Sequence, residues 1–234
     1  MNLIFKKHKR LLFFMFVYWI ICFLMLISEV SFLYIMLAWN ILLATLPLFF
    51  INFSMLQKKK NKYVAAIVFG ILWLLFFPNS VYMITDFIHI SNDKLVWYDK
   101  FVQYSTNNGT MYSNDIMEWM KLLVIGIGVV YGLLVGMESL DIFYCFLIKK
   151  LSKPISWVVI TGVSLISGFG VYIGRFLRFN SWDLLRPLSI LREVLTNINT
   201  FAIEFMFVFA GFILIMFLLY VLFRKDMEEN FEQE

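Results

Sequence analysis

The side chains able to do chemistry gather in short runs at the edges of apolar blocks. One run holds Asn79, Tyr82, Asp86 and His89, the next Trp97-Tyr98-Asp99, and the last Arg175, Arg178, Asn180, Trp182 and Asp183. A histidine beside Asp86 or Asp99 is a candidate oriented base. Such a base needs a nucleophile to make a hydrolase. Ser80 and Ser181 are at hand, yet neither sits in a G-x-S-x-G elbow. Arg175 and Arg178 are three residues apart, so on a helix both guanidinium groups converge on one anion. Asp86 is the expected partner of one of these arginines, within salt-bridge reach. Asp86-x-x-His89 with Asp99 suits Mg or Mn better than structural zinc. Nearby arginines oppose a cation, so no metal and no cofactor is expected, and the other histidine, His8, falls in the basic head on the opposite side, so the count excludes a bis-histidine haem.

These runs must be positioned by membrane spans. The chain of 234 residues is 62% hydrophobic and 15% charged, with mean hydropathy +0.81. A soluble domain is closer to half apolar and a quarter charged. The apolar residues form six blocks, near 11–27, 31–53, 63–84, 119–148, 155–174 and 201–223, each long enough to cross a bilayer. No small-residue cleavage site follows the first block, which therefore reads as an uncleaved span. Cys22 and Cys145 both fall inside blocks without CxxC spacing and read as small hydrophobes.

Lys and Arg cluster at block ends. Thirteen lie at the N-terminus, around 58–62, around 149–153 and at 224–225, against seven on the other side. The positive-inside rule then places both termini in the cytoplasm and loops 85–118 and 175–199 outside. The expected organisation is a basic head (1–10), one transmembrane domain (11–223) and an acidic tail (224–234) that frays in solvent. The outer arginines run against the charge bias, which calls for a local partner or a phosphate contact.

Helix packing is legible too. Gly128, Gly132 and Gly136 recur every four residues in span four, and Gly170, Gly174, Ser164 and Gly168 form small-residue rows in span five. Such rows let backbones approach closely. Pro78 predicts a kink or break in span three. Beyond it, Tyr82, Asp86 and His89 share a face if the helix is regular. Asn40 in span two needs a partner at membrane depth, and Glu204 in span six is expected to face protein.

Trp39-Asn40, Pro47, the run Phe-Pro-Asn-x-x-Tyr-x-x-Thr-Asp-x-x-His from Phe77, Trp97-Tyr98-Asp99 and the run Gly-Arg-Phe-x-Arg-x-Asn-Ser-Trp-Asp from Gly174 resemble an uncharacterised bacterial membrane-protein family, domain of unknown function 1361. The likeness spans roughly residues 20–220. It implies a small multi-span bacterial membrane protein and brings no established activity.

The expectation is an all-α, six-span protein of the bacterial cytoplasmic membrane. Its leading function is binding of an anionic lipid or cell-envelope precursor through Asn79, Tyr82, Asp99, Arg175, Arg178, Asn180, Trp182 and Asp183, with Asp86 and His89 in the same cluster. The alternatives are a membrane enzyme acting on a lipid-linked envelope substrate through His89 and Asp86, or a transporter or accessory subunit with partner membrane proteins. No P-loop is present. No basic stripe with interleaved aromatics lies outside the blocks, so no nucleic-acid partner is expected.

Overall fold

The computed structural model of the chain describes residues 2–91, 95–98, 110–177 and 199–232, with side chains over 4–91, 95–96, 110–177 and 199–224. A head helix α1 (Asn2–Lys7) leads into α2 (Lys9–Ser28) and α3 (Phe32–Lys59). Next comes α4 (Tyr63–Tyr82), which passes into a 3-10 helix over Met83–Ile90. The strands β1 (Val96–Tyr98) and β2 (Thr110–Tyr112) pair antiparallel, with Val96 opposite Tyr112. Then follow α5 (Ile116–Leu147), α6 (Lys153–Tyr172) ending in a π turn over Ile173–Leu177, and α7 (Thr200–Glu232). Six helices, α2 to α7, are long and apolar enough to span a membrane, with α4 and α6 taken together with their 3-10 and π extensions. The chain is a multi-span helical membrane protein.

Local chemistry sets the element boundaries. Ser31 caps α3 by accepting from the Leu33 amide, and Asp115 caps α5 by accepting from Met117 at 2.9 Å. The tight turn between α3 and α4 places Asn61 at φ 58°, a left-handed conformation that asparagine tolerates better than most residues. Pro154 sits in the first turn of α6, where its missing N–H costs no helical bond.

In the head, Ile4 and His8 are buried, and the Phe5 ring lies 5.1 Å from that of Phe49 on α3. The apolar side of α1 docks while Lys6 and Lys7 stay exposed. At the other end α7 is helical through Glu232.

Helices α3 and α4 form an antiparallel hairpin, α2 covers α3, α5 crosses both, and α6 packs on α4 and pairs with α7. One core cluster joins α2, α3 and α5 around Tyr18, Leu37, Ile41 and Ile125. A second joins α4 to α7 around Trp73, Phe77, Leu140, Ile160 and Phe217. Large apolar side chains such as Phe13 and Val208 point outward, each 68% exposed, as lipid contact requires.

The glycine rows explain how close the spans come. A β-carbon at Gly132 would lie 2.6 Å from Met83 Sδ and 3.0 Å from the Ser80 carbonyl oxygen. At Gly136 it would lie 2.7 Å from Ser80 Cβ, and at Gly128 2.5 Å from the Tyr18 hydroxyl. The row on α5 therefore packs against α4, its 3-10 extension and α2. On α6, a β-carbon at Gly170 would meet Pro78 at 2.7 Å, and one at Gly168 would meet the Met206 carbonyl of α7 at 2.5 Å.

Gly132→Leu is expected to cost about 1–3 kcal/mol through overpacking, read as a lower melting temperature in detergent. A β-carbon at Gly126 would have nothing within 4 Å, so Gly126→Leu should melt like the parent.

Candidate functional site

Pro78 does not end α4. The α-helix continues through it to Tyr82 before tightening to 3-10 geometry at Met83. The proline ring instead fills the space left by Gly170 on α6. The tightening matters for the face that follows. With three residues per turn, Met83, Asp86 and His89 stack in one row, rather than the Tyr82, Asp86 and His89 row of a regular helix. Met83 and Asp86 are buried and His89 is half-buried.

The row meets two other spans at the end of the bundle remote from the chain termini, here the distal end. From α3, the Asn40 side-chain amide donates to Asp86 Oδ2 at 2.9 Å. From the π turn after α6, Arg175 Nη1 lies 3.9 Å from Asp86 Oδ1 and donates to the Tyr82 hydroxyl at 3.1 Å. Arg175 Nη2 donates to the Thr85 carbonyl at 2.6 Å. The π turn widens the backbone at Arg175, and Gly174 passes the Tyr82 ring at ordinary contact, 3.4 Å from where a β-carbon would stand. Asp86 is only 1% exposed and Arg175 15%, so the pair is taken out of solvent; Asp86 Oδ2 accepts from Asn40, while Oδ1 has no hydrogen-bond partner and faces the Arg175 guanidinium at 3.9 Å.

His89 lies apart from this pairing. No hydrogen bond joins it to Asp86, whose oxygens are turned to Asn40 and Arg175. Its Nε2 is buried without a hydrogen-bond partner. Arg175 and Lys121, the latter on the first turns of α5, bring their positive charges within electrostatic range of the ring. Asn79 turns away and donates to the Phe76 carbonyl of its own helix at 3.0 Å. Asp99, Arg178, Asn180, Trp182 and Asp183 lie outside the described residues, as do the side chains of Trp97 and Tyr98. The structure thus brings together Tyr82, Asp86 and Arg175, adds Asn40, and places His89 at the edge.

Glu204 is corrected. It is exposed, because the close contact of Gly168 with Met206 and Ala210 fixes which face of α7 turns inward. That face carries Ala202 and Ala210, both buried.

A second polar cluster stands at the end that carries the termini, where the sequence pattern gave no expectation of one. Glu138 and Asp141 of α5 meet α7: the Tyr220 hydroxyl donates to Glu138 Oε2, and Arg224 donates to Asp141 Oδ2. Cys145 Sγ lies 3.7 Å from Asp141 Oδ2, and both cysteines are free. The signal was present, since two carboxylates three residues apart inside an apolar block are costly in hydrocarbon. Reading Arg224 only as a terminal positive charge hides its partner. No group of three or more His, Cys, Asp and Glu side chains gathers as a metal site among the described residues.

Fold and site together define a six-span helical membrane protein whose spans are tied by polar clusters near both ends. The family described as "Protein of unknown function (DUF1361)" matches residues 39–217, and the chain belongs to it. No curated protein and no solved structure matches.

Arg175→Ala leaves the Asp86 carboxylate buried without its cation and is expected to cost about 3–5 kcal/mol. Adding Asp86→Asn should recover much of that loss, because the Asn40 contact survives and the orphan charge is gone. Chemical or thermal unfolding of the two single variants and the double variant closes the cycle. Additive losses would mean the two side chains do not interact.

Proposed function

We propose that the protein is a multi-pass component of the bacterial cytoplasmic membrane, with both termini cytoplasmic, that binds an anionic group at its distal, outward end. The ligand class is a phosphate-bearing lipid headgroup or lipid-linked envelope precursor. One observation carries this reading: His89 Nε2 is buried without a partner, within range of the positive charges of Arg175 and Lys121. A buried polar atom left unsatisfied costs on the order of 1–3 kcal/mol. With its proton on Nε2, the ring would donate to an anionic oxygen, beside the positive charges of Arg175 and Lys121.

Arg175 contributes most by position. Tyr82, Thr85 and Asp86 hold its guanidinium in place, so little entropy is lost when it meets a ligand. Its planar set of five N–H donors suits phosphate better than a lysine ammonium would. The membrane-enzyme alternative has less support, since Asp86 is committed to Asn40 and Arg175 and does not orient His89.

Two measurements test the proposal. In a background lacking the native cysteines, Asn114→Cys should react with a membrane-impermeant thiol reagent in intact cells and Asn61→Cys should not. The reverse pattern would put the distal end in the cytoplasm. Native mass spectrometry of the detergent-purified protein, titrated with phosphatidylglycerol and with phosphatidylcholine, should show preferential retention of the anionic lipid. His89→Gln should weaken that retention roughly tenfold, about 1.4 kcal/mol, with the melting temperature unchanged. Equal retention of the two lipids would refute anion recognition.

A further inference from the structure

The α3–α4 hairpin carries cations at one corner and no acid to balance them. No acidic residue occurs between Glu29, which follows α2, and Asp86, and both of these stand toward the distal end. The turn at the terminal end holds Lys58, Lys59, Lys60 and Lys62. Lys58 is turned to α5, its Nζ 3.6 Å from the centre of the Phe146 ring. Lys59, Lys60 and Lys62 are exposed, and among the described residues none of them pairs with a carboxylate. A second feature lies beside them. An apolar groove of about 700 Å³ runs from Lys62 along Val64 and Ala65 to Val68 and Phe69. The helix rises about 10 Å over that stretch, so the groove leads from the polar turn into the apolar layer. At its inner end the Phe69 ring is seated against Phe53 of α3, with 5.4 Å between centres. Val64 is 79% exposed and Val68 49%.

We propose that this corner binds an anionic phospholipid of the leaflet at the terminal end. The phosphate meets the Lys62 ammonium, with Lys59 and Lys60 close by in sequence, and the upper part of one acyl chain lies in the groove along Val64 and Val68. The order of the groups carries the assignment: free cations at the turn, hydrocarbon immediately below, and no acid on the hairpin to compete. Lysine suits the contact because its long apolar stem follows the groove while the ammonium reaches the headgroup level. Anionic lipid attracts such cations next to a span. A zwitterionic headgroup brings a cation of its own and gains less. A second copy of the chain docked through the same face would set lysine against lysine, a like-charge contact that opposes association. The site stands at the opposite end of the bundle from Arg175 and His89 and does not rest on the distal reading.

Bromine on an acyl chain quenches a fluorophore at short range, so it reports which lipid occupies a chosen place. In full-length protein lacking the native cysteines, the fluorophore is attached through Ile67→Cys, exposed beside the groove, or through Val158→Cys. Val158 is exposed at a matching depth on α6, near Lys149, Lys150 and Lys153. Vesicles hold equal parts phosphatidylglycerol and phosphatidylcholine, brominated on one lipid or on the other, which keeps the surface charge the same. Quenching at Ile67→Cys should report phosphatidylglycerol enriched roughly fivefold, the factor that one lysine near a charged surface supplies. The enrichment at Val158→Cys should be smaller. Adding Lys62→Gln should remove most of the enrichment at Ile67→Cys while the helical circular-dichroism signal is unchanged. Equal quenching by the two lipids at Ile67→Cys would overturn the site. Equal enrichment at both positions would assign the effect to the general attraction of a basic surface and overturn it as well. An enrichment that survives Lys62→Gln would overturn the phosphate contact.

Discussion

A hydrocarbon layer offers no hydrogen bonds, so each polar group carried by a span must find its partner on its own helix or on a neighbour. This requirement runs through the whole bundle. Ser80 donates to the Ala44 carbonyl across the α3–α4 hairpin, and Ser54 to the Ala66 carbonyl, both at 2.7 Å. Trp73 reaches Ser139 on α5, and Tyr18 reaches the Val124 carbonyl. Thr45 and Tyr131 share a contact that extends to the Leu11 carbonyl, joining α3, α5 and α2. These bonds do little to drive association, since each span can also satisfy itself. They restrict which faces and registers are compatible.

Close approach and polar pairing depend on each other. Small residues on α5 and α6 bring neighbouring backbones near enough for short side chains such as Ser80 to bridge them. The same proximity brings the 3-10 segment after α4 and the π turn after α6 to one place, where Asp86 and Arg175 meet. Both are departures from regular helix next to a buried charge. Each redirects a side chain that a regular helix would aim elsewhere.

The two ends of the bundle solve the charge problem differently. At the distal end Asp86 and Arg175 form a balanced pair with neutral donors and acceptors around it. At the terminal end α7 meets the two acids of α5 separately, with the Tyr220 hydroxyl on Glu138 and the Arg224 guanidinium on Asp141.

Hydropathy alone settled the six spans, their approximate limits and the small-residue rows, because each depends on the transfer free energy or size of individual residues at a helical spacing. The need of Asn40 for a partner was legible in the same way, and so was the pairing of Asp86 with one of two arginines. That Arg175 is such a partner, and that Asn40 serves the same carboxylate, depended on how each helix is rotated and on which helices are neighbours. Pro78 shows the limit clearly. From its own chemistry it kinks or breaks a helix; the helix continues to Tyr82, and the notch that receives the ring, at Gly170, belongs to another span. Glu204 and the Glu138–Tyr220 contact show it too, for outward and inward are properties of a face, and the face of α7 was chosen by Gly168. One-dimensional periodicity carries the cost of placing a residue in lipid, whereas the partner that offsets that cost exists only once the spans are assembled.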